Sequence, residues 1–230
     1  PVVSDAMALR SNRAGDNAAK RKRFKGGLIY FKTSGSTAEL KASSLKWGVA
    51  DEVDEWDWTT PQGDPLGLFE IRFAAFHNSK LFIVSSPTIK AASKIEEQFE
   101  AGDQRRYHVT CPHCGLDHPL QPGRLDVAAT NAGKPILSGF AWDAEDPEGT
   151  IRHVCPHCRG HINQADYLRI WKTGVWTSDC GNYHLYTDGT WTDAHGCKLT
   201  HPPRHVAFHV WTAYSPQNTW AVIVREFLDA

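Results

Sequence analysis

The sequence has no apolar segment of the roughly 20 residues that a membrane-spanning helix needs, and no charged-then-apolar leader opens the chain. Its net charge of −1 at pH 7 excludes a histone-like polycation, so nucleic-acid contact would have to come from local basic clusters. No G-x-x-x-x-G-K-[ST] phosphate-binding loop occurs anywhere. With 41% hydrophobic and 22% charged residues, the composition is that of one or two ordinary globular domains.

Two nearly identical cysteine turns divide the chain, Cys111-Pro112-His113-Cys114 and Cys155-Pro156-His157-Cys158. Two residues between the cysteines let both thiolates of a turn reach one metal ion, so the turns together predict a four-cysteine zinc site. Paired turns of this kind also favour a reducing, intracellular compartment. A β-prone run leads into each turn, Tyr107 to Val109 and Ile151 to Val154, as in a zinc ribbon. Two disulfides or four unrelated buried thiols are the alternatives.

The 40 residues between Cys114 and Cys155 exceed the ~15–20 of compact zinc sites, so strands should fill the gap. Leu125 to Val127 and Ile136 to Trp142 fit that role, with a turn at Asn131 to Pro135 between them. We expect the histidines in and around the cysteine turns to face solvent or to lie beside the metal site. They are His108, His113, His118, His153 and His157.

The first segment places acidic residues directly after a β-prone run, since Leu45 to Ala50 leads into Asp51-Glu52-Val53-Asp54-Glu55. A strand that delivers two adjacent carboxylates at its C-terminal end is the Walker B arrangement. In it, the first acid holds Mg²⁺ and the second orients a water molecule against the γ-phosphate of a nucleoside triphosphate. A solvated acidic turn is the alternative.

A second predicted strand, Leu81 to Val84, stops at Ser85-Ser86-Pro87-Thr88. Small hydroxyl residues at the end of the strand beside a Walker B strand can sense the γ-phosphate. A plain loop in which Thr88 caps the next helix is the alternative. Asp64-Pro65 predicts the start of another helix. Its buried face would consist of Leu66, Phe69, Phe73 and Phe76.

A basic run from Lys20 to Lys25 predicts a loop that contacts phosphate, with a solvated charge run as the alternative. Gly26-Gly27 then turns the chain into Leu28 to Phe31, which we predict to be a buried strand. In the tail we predict a helix from Asn163 to Lys172, a half-buried strand from Val206 to Trp211 and an amphipathic helix from Trp220 to Leu228. A second metal site is an open alternative to two surface thiols. Its residues would be Cys180, His184, His195 and Cys197, whose spacing matches no standard pattern.

The succession of motifs resembles the large terminase subunit of lambda-type tailed bacteriophages, the gpA family. The residues that carry the resemblance are Asp51 to Glu55, Ser85 to Thr88 and the run from Gly102 to Gly115. It also includes the Gly26-Gly27 turn and Tyr214-Ser215-Pro216 with Trp220, so it covers almost the whole chain.

The resemblance implies a motor in which ATP hydrolysis drives double-stranded DNA into a procapsid while a C-terminal nuclease cuts the DNA concatemer. It implies that Asp51 is the Mg²⁺-associated acid, that Glu52 is the catalytic glutamate and that Ser85, Ser86 and Thr88 form the coupling motif. The cofactors would be structural Zn²⁺ on Cys111, Cys114, Cys155 and Cys158, and Mg²⁺ and ATP. The partners would be DNA, the small terminase subunit and the portal of the procapsid in the cytoplasm of the bacterial host, with oligomers only in the packaging complex. The candidate DNA contacts are Lys20, Arg21, Lys22, Arg23, Arg105 and Arg106.

The predicted fold class is α/β: part of a P-loop-type parallel sheet with helices, joined to a four-cysteine zinc ribbon and a small α+β tail. We assign residues 1–106 to an ATPase domain, 107–162 to the zinc ribbon and 163–230 to a tail leading toward a nuclease. Because the phosphate-binding loop is missing, we expect a fragment that by itself hydrolyses ATP poorly or not at all. Because no cluster of nuclease carboxylates follows Cys158, we expect the nuclease to start near or beyond the end of this chain. A zinc-ribbon binding module without catalysis and a helicase-like triphosphatase are the alternative functions.

Overall fold

The computed structural model describes residues 18–89, 91–125, 130–131, 134–135 and 138–229. Sequence predictions that involve residues 1–17, 126–129, 132–133 and 136–137 lie outside this described part. The chain groups into two compact units, the first ending at Glu96 and the second beginning at Glu97. None of the helices among the described residues is both long and apolar enough to cross a membrane.

The basic run forms the first strand of a β-hairpin. Strand β1 (Arg21–Phe24) pairs antiparallel with β2 (Gly27–Tyr30), and Gly26 adopts the positive φ of 98° that the tight turn requires. The predicted loop at Lys20 to Lys25 is therefore largely a strand. The predicted burial of Leu28 to Phe31 is wrong, because these residues are between 37% and 53% exposed. Their partner strand carries charges that must stay hydrated, so the hairpin cannot be buried in a core.

The rest of the first unit is built on a pair of parallel strands. Its elements in chain order are α1 (Thr37–Lys41), β3 (Trp47–Asp51), α2 (Pro65–Glu70), β4 (Lys80–Val84) and the first residues of α3 (Lys94–Ala101), which continues past Glu96. Strands β3 and β4 run parallel in a register that places Asp51 opposite Val84. Because parallel strands end at the same edge, the segments that follow β3 and β4 lie side by side. The predicted strands and their parallel arrangement are confirmed.

One face of the parallel strands packs on the core of the first unit. The buried residues of this core are Leu40, Ala50, Val53, Leu66, Phe69 and Phe73. Gly48 allows this packing, since a Cβ atom there would lie 2.3 Å from the ring of Phe73. The Asp64 carboxylate accepts a hydrogen bond from Leu66 N at 2.8 Å, which confirms the predicted helix start. Phe76 is 40% exposed rather than buried, because a 3₁₀ turn replaces the α-helix at Ile71–Phe73 and changes the spacing.

The opposite face of the two parallel strands is apolar and exposed. Trp47, Val49, Phe82 and Val84 are 57%, 66%, 52% and 54% exposed. We call these four residues the open sheet face. Parallel sheets in proteins are almost always covered on both faces, so this surface has the character of a core that lacks its second layer among the described residues.

The second unit contains most of the strands. They are β5 (Arg105–Thr110), β6 (Asp117–Pro119), β7 (Thr130–Asn131), β8 (Lys134–Pro135), β9 (Gly139–Ala141), β10 (Arg152–Val154), β11 (His161–Asn163), β12 (Val175–Thr177), β13 (Tyr183–Tyr186), β14 (Trp191–Asp193) and β15 (Phe208–His209). The helices are α4 (Gln164–Ile170) and α5 (Ala221–Leu228). The predicted strand Val206 to Trp211 is shorter than expected, and the two predicted helices are confirmed.

Two sheets organise this unit. The larger has the order β14-β13-β12-β5-β15, with β6 also paired to β5, and the smaller has the order β11-β10-β9. The segment between the cysteine turns contributes β9 and a short hairpin of β7 and β8. Strand β5 before the first cysteine turn pairs with β12 of the tail, so the cysteine region and the tail share a sheet. The three-domain division stays a prediction.

An aromatic-rich core lies between these elements. Phe140 contacts Trp220 with ring centroids 4.9 Å apart, and Trp220 is 1% exposed. Tyr214 donates from its hydroxyl to the main-chain oxygen of Tyr107 and accepts from Leu120 N at 3.0 Å. These long-range contacts connect the C-terminal part of the chain to the strands around the cysteines.

Candidate functional site

Each cysteine turn closes a β-hairpin of its own. Strand β5 leads into Cys111 and β6 returns after Cys114, while β10 leads into Cys155 and β11 returns after Cys158. Main-chain bonds tighten both turns, with Gly115 N donating to Cys111 O at 2.9 Å and Arg159 N to Cys155 O at 3.1 Å. The two turns therefore have the same local architecture.

The four sulfur atoms lie within 4.8 Å of one another. Cys111 Sγ is 3.8 Å from Cys158 Sγ, and Cys114 Sγ is 3.9 Å from Cys155 Sγ. Tetrahedral zinc with bonds of about 2.3 Å to sulfur would space its ligands by about 3.8 Å, so the arrangement fits such an ion. No disulfide joins these four cysteines, and Cys111 and Cys155 are buried whereas Cys114 and Cys158 are exposed.

The thiols of Cys111 and Cys158 have different surroundings, which change how readily each one loses its proton to become a metal ligand. Burial raises the pKa of the Cys111 thiol to about 12, so this group would ionise only with a cation beside it. The main-chain N–H of Gly160 lowers the pKa of Cys158 to about 7. Main-chain N–H groups also point at sulfur, from His113 to Cys111 Sγ and from Gly160 to Cys158 Sγ, both at 3.4 Å. Such donors stabilise thiolates.

The histidines within the turns hold the two hairpins together. His113 Nε2 lies 2.8 Å from the main-chain oxygen of His161, on the strand after the other turn. His157 Nε2 lies 3.4 Å from the main-chain oxygen of Asp117, again on the opposite hairpin. Gly160 leaves room for this arrangement, since a Cβ atom there would be 2.6 Å from the His113 ring. The repeated Pro-His pair therefore has a structural use that the sequence did not suggest.

Two of the histidines that we expected at the surface or beside the metal site are buried. His118 and His153 are 1% and 0% exposed, and their rings stack with centroids 5.3 Å apart. Burial lowers the pKa of both rings, that of His153 to about 3, so both are neutral. Of the two placements expected for them, the one at the surface is wrong, because they occupy inward positions of β6 and β10. No signal in the sequence separates them from exposed histidines.

The acidic pair lies at the C-terminal end of β3. Asp51 and Glu52 are both exposed, and Glu52 N donates to Asp51 Oδ1 at 3.1 Å. Glu52 has a φ of 51°, a left-handed conformation that is unusual for a residue with a side chain. A 3₁₀ turn (Val53–Glu55) follows, and Val53 at 0% exposure fixes it to the core. The turn thus presents both carboxylates to solvent at the edge of the sheet.

The hydroxyl segment lies beside this acidic turn, as the strand order predicted. Ser85 Oγ accepts from Asp54 N at 3.2 Å. The Asp54 carboxylate accepts from both Thr88 N and Thr88 Oγ1, at 3.0 and 3.2 Å. Thr88 is therefore not the helix cap considered as an alternative. Ser93 takes that place, accepting from Glu96 N at 3.1 Å.

The basic residues predicted to contact DNA occupy different environments. Lys20, next to the hairpin strand that contains Arg21 to Arg23, bonds to Glu39 at 2.5 Å. Arg106 is 38% exposed and pairs with Asp179 at 3.1 Å. Arg105 is completely buried, with a 2.7 Å bond to Asp103 and the face of Trp191 4.6 Å away. Its guanidinium does not reach the surface, because Arg105 occupies an inward position of β5.

The tail residues considered for a second metal site stay apart. Within the described part of the chain, the cysteine quartet is the group found to be arranged for an ion. Cys180 and Cys197 are exposed, and His184 Nδ1 lies 3.2 Å from Thr177 Oγ1. The structure therefore gives the second metal site no support.

Comparison with known proteins agrees with the motifs. The family described as "Phage terminase large subunit gpA, ATPase domain" matches residues 1–176. The terminase large subunit of Enterobacteria phage P21 is 31% identical over 243 aligned residues, covering 100% of this chain and 35% of that protein. That of Escherichia phage lambda is 30% identical over 223 aligned residues, covering 93% of this chain and 32% of that protein. No solved structure matches the chain.

The chain thus spans about a third of the length of these two relatives. The family match extends through both cysteine turns and past the end predicted for the ATPase region at residue 106. A match over most of the chain, together with relatives at about 30% identity, confirms the resemblance. This chain belongs to the gpA family of phage terminase large subunits, of the lambda type.

Proposed function

We propose that this chain is part of an ATP-driven motor that moves double-stranded DNA into procapsids. The observation that carries the proposal is the shared edge of β3 and β4. There the turn that begins at Asp51 and Glu52 is hydrogen-bonded to Ser85 and Thr88 of the hydroxyl segment through Asp54. Parallel strands that present an acid pair beside such a segment fit nucleoside triphosphate hydrolysis. Cleavage of the DNA concatemer would belong to a nuclease region outside this chain.

The two acids would have separate roles. Asp51 directly ends the strand and is exposed, which suits a hard cation such as Mg²⁺. Glu52 would orient the water that attacks the γ-phosphate, and its backbone has the left-handed φ of 51°. Strain of this kind persists where the surrounding structure maintains it and is frequent at active sites. ATP would supply the phosphoryl group, and Mg²⁺ would neutralise its developing charge.

The open sheet face supports a larger ATPase domain around these strands. Trp47, Val49, Phe82 and Val84 form the kind of apolar surface that further strands or helices cover in P-loop-type sheets. No phosphate-binding glycine loop occurs in this sequence. We therefore propose that this chain by itself does not turn over ATP and that the full-length protein does.

The substitution Glu52→Gln tests the catalytic proposal in the full-length protein. Losing the carboxylate that orients water should reduce ATP turnover by about a hundredfold or more while ATP binding persists. Glu55→Gln is the matched control, because Glu55 is exposed on the same turn and has no proposed role. Steady-state hydrolysis and equilibrium ATP titration measure the two properties. Unchanged turnover in Glu52→Gln would refute the Walker B assignment.

The cysteine quartet would hold structural zinc in a zinc ribbon. All four candidate ligands are cysteine sulfur atoms, which favour zinc over hard cations, and the hairpin that each cysteine turn closes matches a ribbon. Zinc would supply the bonds that fix the two hairpins against each other, and the chain would ligate it through Cys111, Cys114, Cys155 and Cys158. In the packaging complex, within the cytoplasm of the bacterial host, the partners would be the small terminase subunit and the portal.

DNA contact is proposed for the β1–β2 hairpin and for Arg106, whereas burial removes Arg105 from this set. The hairpin has Lys or Arg at five of the six positions from 20 to 25 and no acidic residue up to residue 31. A two-stranded ribbon of this kind is small enough to enter the major groove of DNA. Contacts with phosphate would account for binding that depends strongly on salt.

The salt dependence of DNA binding tests this surface. Replacing Lys22 and Arg23 by alanine should weaken binding at low salt and lower the slope of log affinity against log salt by about one for each phosphate that is no longer neutralised. Arg169→Ala is the control, because Arg169 is a basic residue on α4 with a 78% exposed side chain. An unchanged salt slope in the double variant would exclude the hairpin as the DNA-binding surface.

A further inference from the structure

The Asp54 carboxylate lies where three segments of the first unit meet. Its Oδ2 accepts from Thr88 N and Thr88 Oγ1, and its Oδ1 accepts from Ile95 N at 2.8 Å. Ser93 adds a side-chain hydrogen bond to the same carboxylate. The main-chain N–H of Asp54 donates to Ser85 Oγ at 3.2 Å. One residue therefore connects the acidic turn, the hydroxyl segment and the first turn of α3.

Asp54 belongs to the same short helical turn as Glu52, so the two residues should move together. Glu55 N donates to Glu52 O at 2.9 Å, which closes the short helical turn around Val53 and Asp54. Val53 is 0% exposed, so the turn has a fixed base in the core. A change in the backbone of Glu52 would therefore displace Asp54, and the charged hydrogen bonds of Asp54 would carry the displacement to Thr88 and to the start of α3.

The electrostatics of Asp54 agree with this arrangement. Burial alone would raise the pKa of its carboxyl group, but the donors from Ser93, Ile95 and Thr88 outweigh burial and lower it. The group is therefore ionised at neutral pH and acts as acceptor for all of these donors. Protonation or amidation would force at least one donor to lose its partner.

We propose that Asp54 is the positioning residue that transmits changes at the acidic pair to the hydroxyl segment and to α3. The inference rests on the proposed ATPase function, because Asp54 would connect the acidic pair of that ATPase site to the hydroxyl segment. Asp54 does not touch the reacting atoms in this assignment. It acts through Glu52 on one side and through Thr88 on the other.

The central experiment compares threonine variants in the full-length protein. Thr88→Val keeps the shape of the side chain but removes the hydroxyl donor to Asp54, and should lower the kcat of DNA-stimulated ATP hydrolysis by about tenfold, with little change in KM. Thr88→Ser restores the hydroxyl and should restore most of the rate. A rate loss in Thr88→Val that serine does not rescue would overturn the proposal.

Thr59→Val is the matched control. Thr59 Oγ1 donates to the carboxylate of Asp57 at 2.6 Å, so this variant loses the same kind of bond in the same unit without touching the hydroxyl segment. Its kcat should equal that of the wild type. Thermal unfolding of all variants tests for a purely structural effect. Should Thr88→Val fail to fold, Ser85→Ala removes the acceptor for Asp54 N and examines the same connection.

A double-mutant cycle between Asp54→Asn and Thr88→Val assigns the effect to the pair. If the two residues act together, the double variant should be no slower than the slower single variant, whereas additive losses would overturn the proposal. Glu52→Gln separates this inference from the function it rests on. Wild-type turnover in Glu52→Gln refutes the ATPase proposal itself, whereas an inactive Glu52→Gln with fully active Thr88→Val refutes only the role of Asp54.

Discussion

The hydroxyl of Tyr214 donates a 2.9 Å hydrogen bond to the main-chain oxygen of Tyr107, joining residues 107 positions apart. The same hydroxyl accepts from Leu120 N, and Tyr214 is 9% exposed. Tyr214→Phe leaves a buried N–H and a buried carbonyl without this partner, which should cost about 1–3 kcal/mol of unfolding free energy. Denaturant unfolding measures the loss. An equally stable variant would show that water replaces the hydroxyl.

Removal of the zinc ion that we propose for the cysteine quartet should unfold the cysteine region first. Cys155→Ser removes a buried ligand, and we expect loss of bound zinc and of protection from proteolysis between about residues 105 and 163. Cys180→Ser, which alters an exposed thiol outside the quartet, is the matched control and should retain one zinc per chain. Elemental analysis and limited proteolysis check both variants. Full zinc content in Cys155→Ser would contradict the assigned site.

Gly160→Ala should weaken metal binding without removing a ligand. The added methyl group would lie 2.6 Å from the His113 ring and 3.1 Å from Cys158 Sγ, so both must shift. We expect zinc affinity to fall by about tenfold, as when outer partners of metal ligands are disturbed. Competition with a chelator measures the affinity. Gly35→Ala is the control, because a methyl group there meets no atom within 4 Å.

The contribution of Asp54 to stability should depend on pH. Its folded-state pKa is lowered, so the stabilisation is fully present above the unfolded pKa of about 3.9 and is lost as the pH falls through the folded value. The difference in unfolding free energy between wild type and Asp54→Asn should therefore be constant above about pH 5 and shrink as the pH falls below about 4. Urea unfolding at several pH values measures it. A difference that stays constant would mean that the carboxylate charge does not matter.

The sequence predicted the features that depend on local spacing. The cysteine turns, the Asp64-Pro65 helix start and the acids after β3 follow from residue type and position. In the structure the four cysteine sulfurs lie together, Asp64 caps its helix and β3 ends at Asp51. The parallel arrangement of β3 and β4 followed from the order of the motifs. These features need no knowledge of distant contacts.

Burial was harder to predict, because it depends on which elements pack together. Leu28 to Phe31 looked like a core strand but pairs with a charged strand, and Arg105 looked like a surface cation but points into the second unit. Asp54 belongs to the predicted acidic motif, yet its partners lie 34 and 41 residues further along the chain. Spacing within the motif carries no information about such partners.

The open sheet face has a consequence for the behaviour of this chain in solution. Strands β3 and β4 pair with each other, and among the described residues neither has a second neighbour in the sheet. Exposed Trp47, Val49, Phe82 and Val84 therefore adjoin edges whose main-chain donors and acceptors can pair with another molecule. We expect concentration-dependent aggregation of the isolated chain, and a charged substitution such as Val49→Lys should raise its solubility limit.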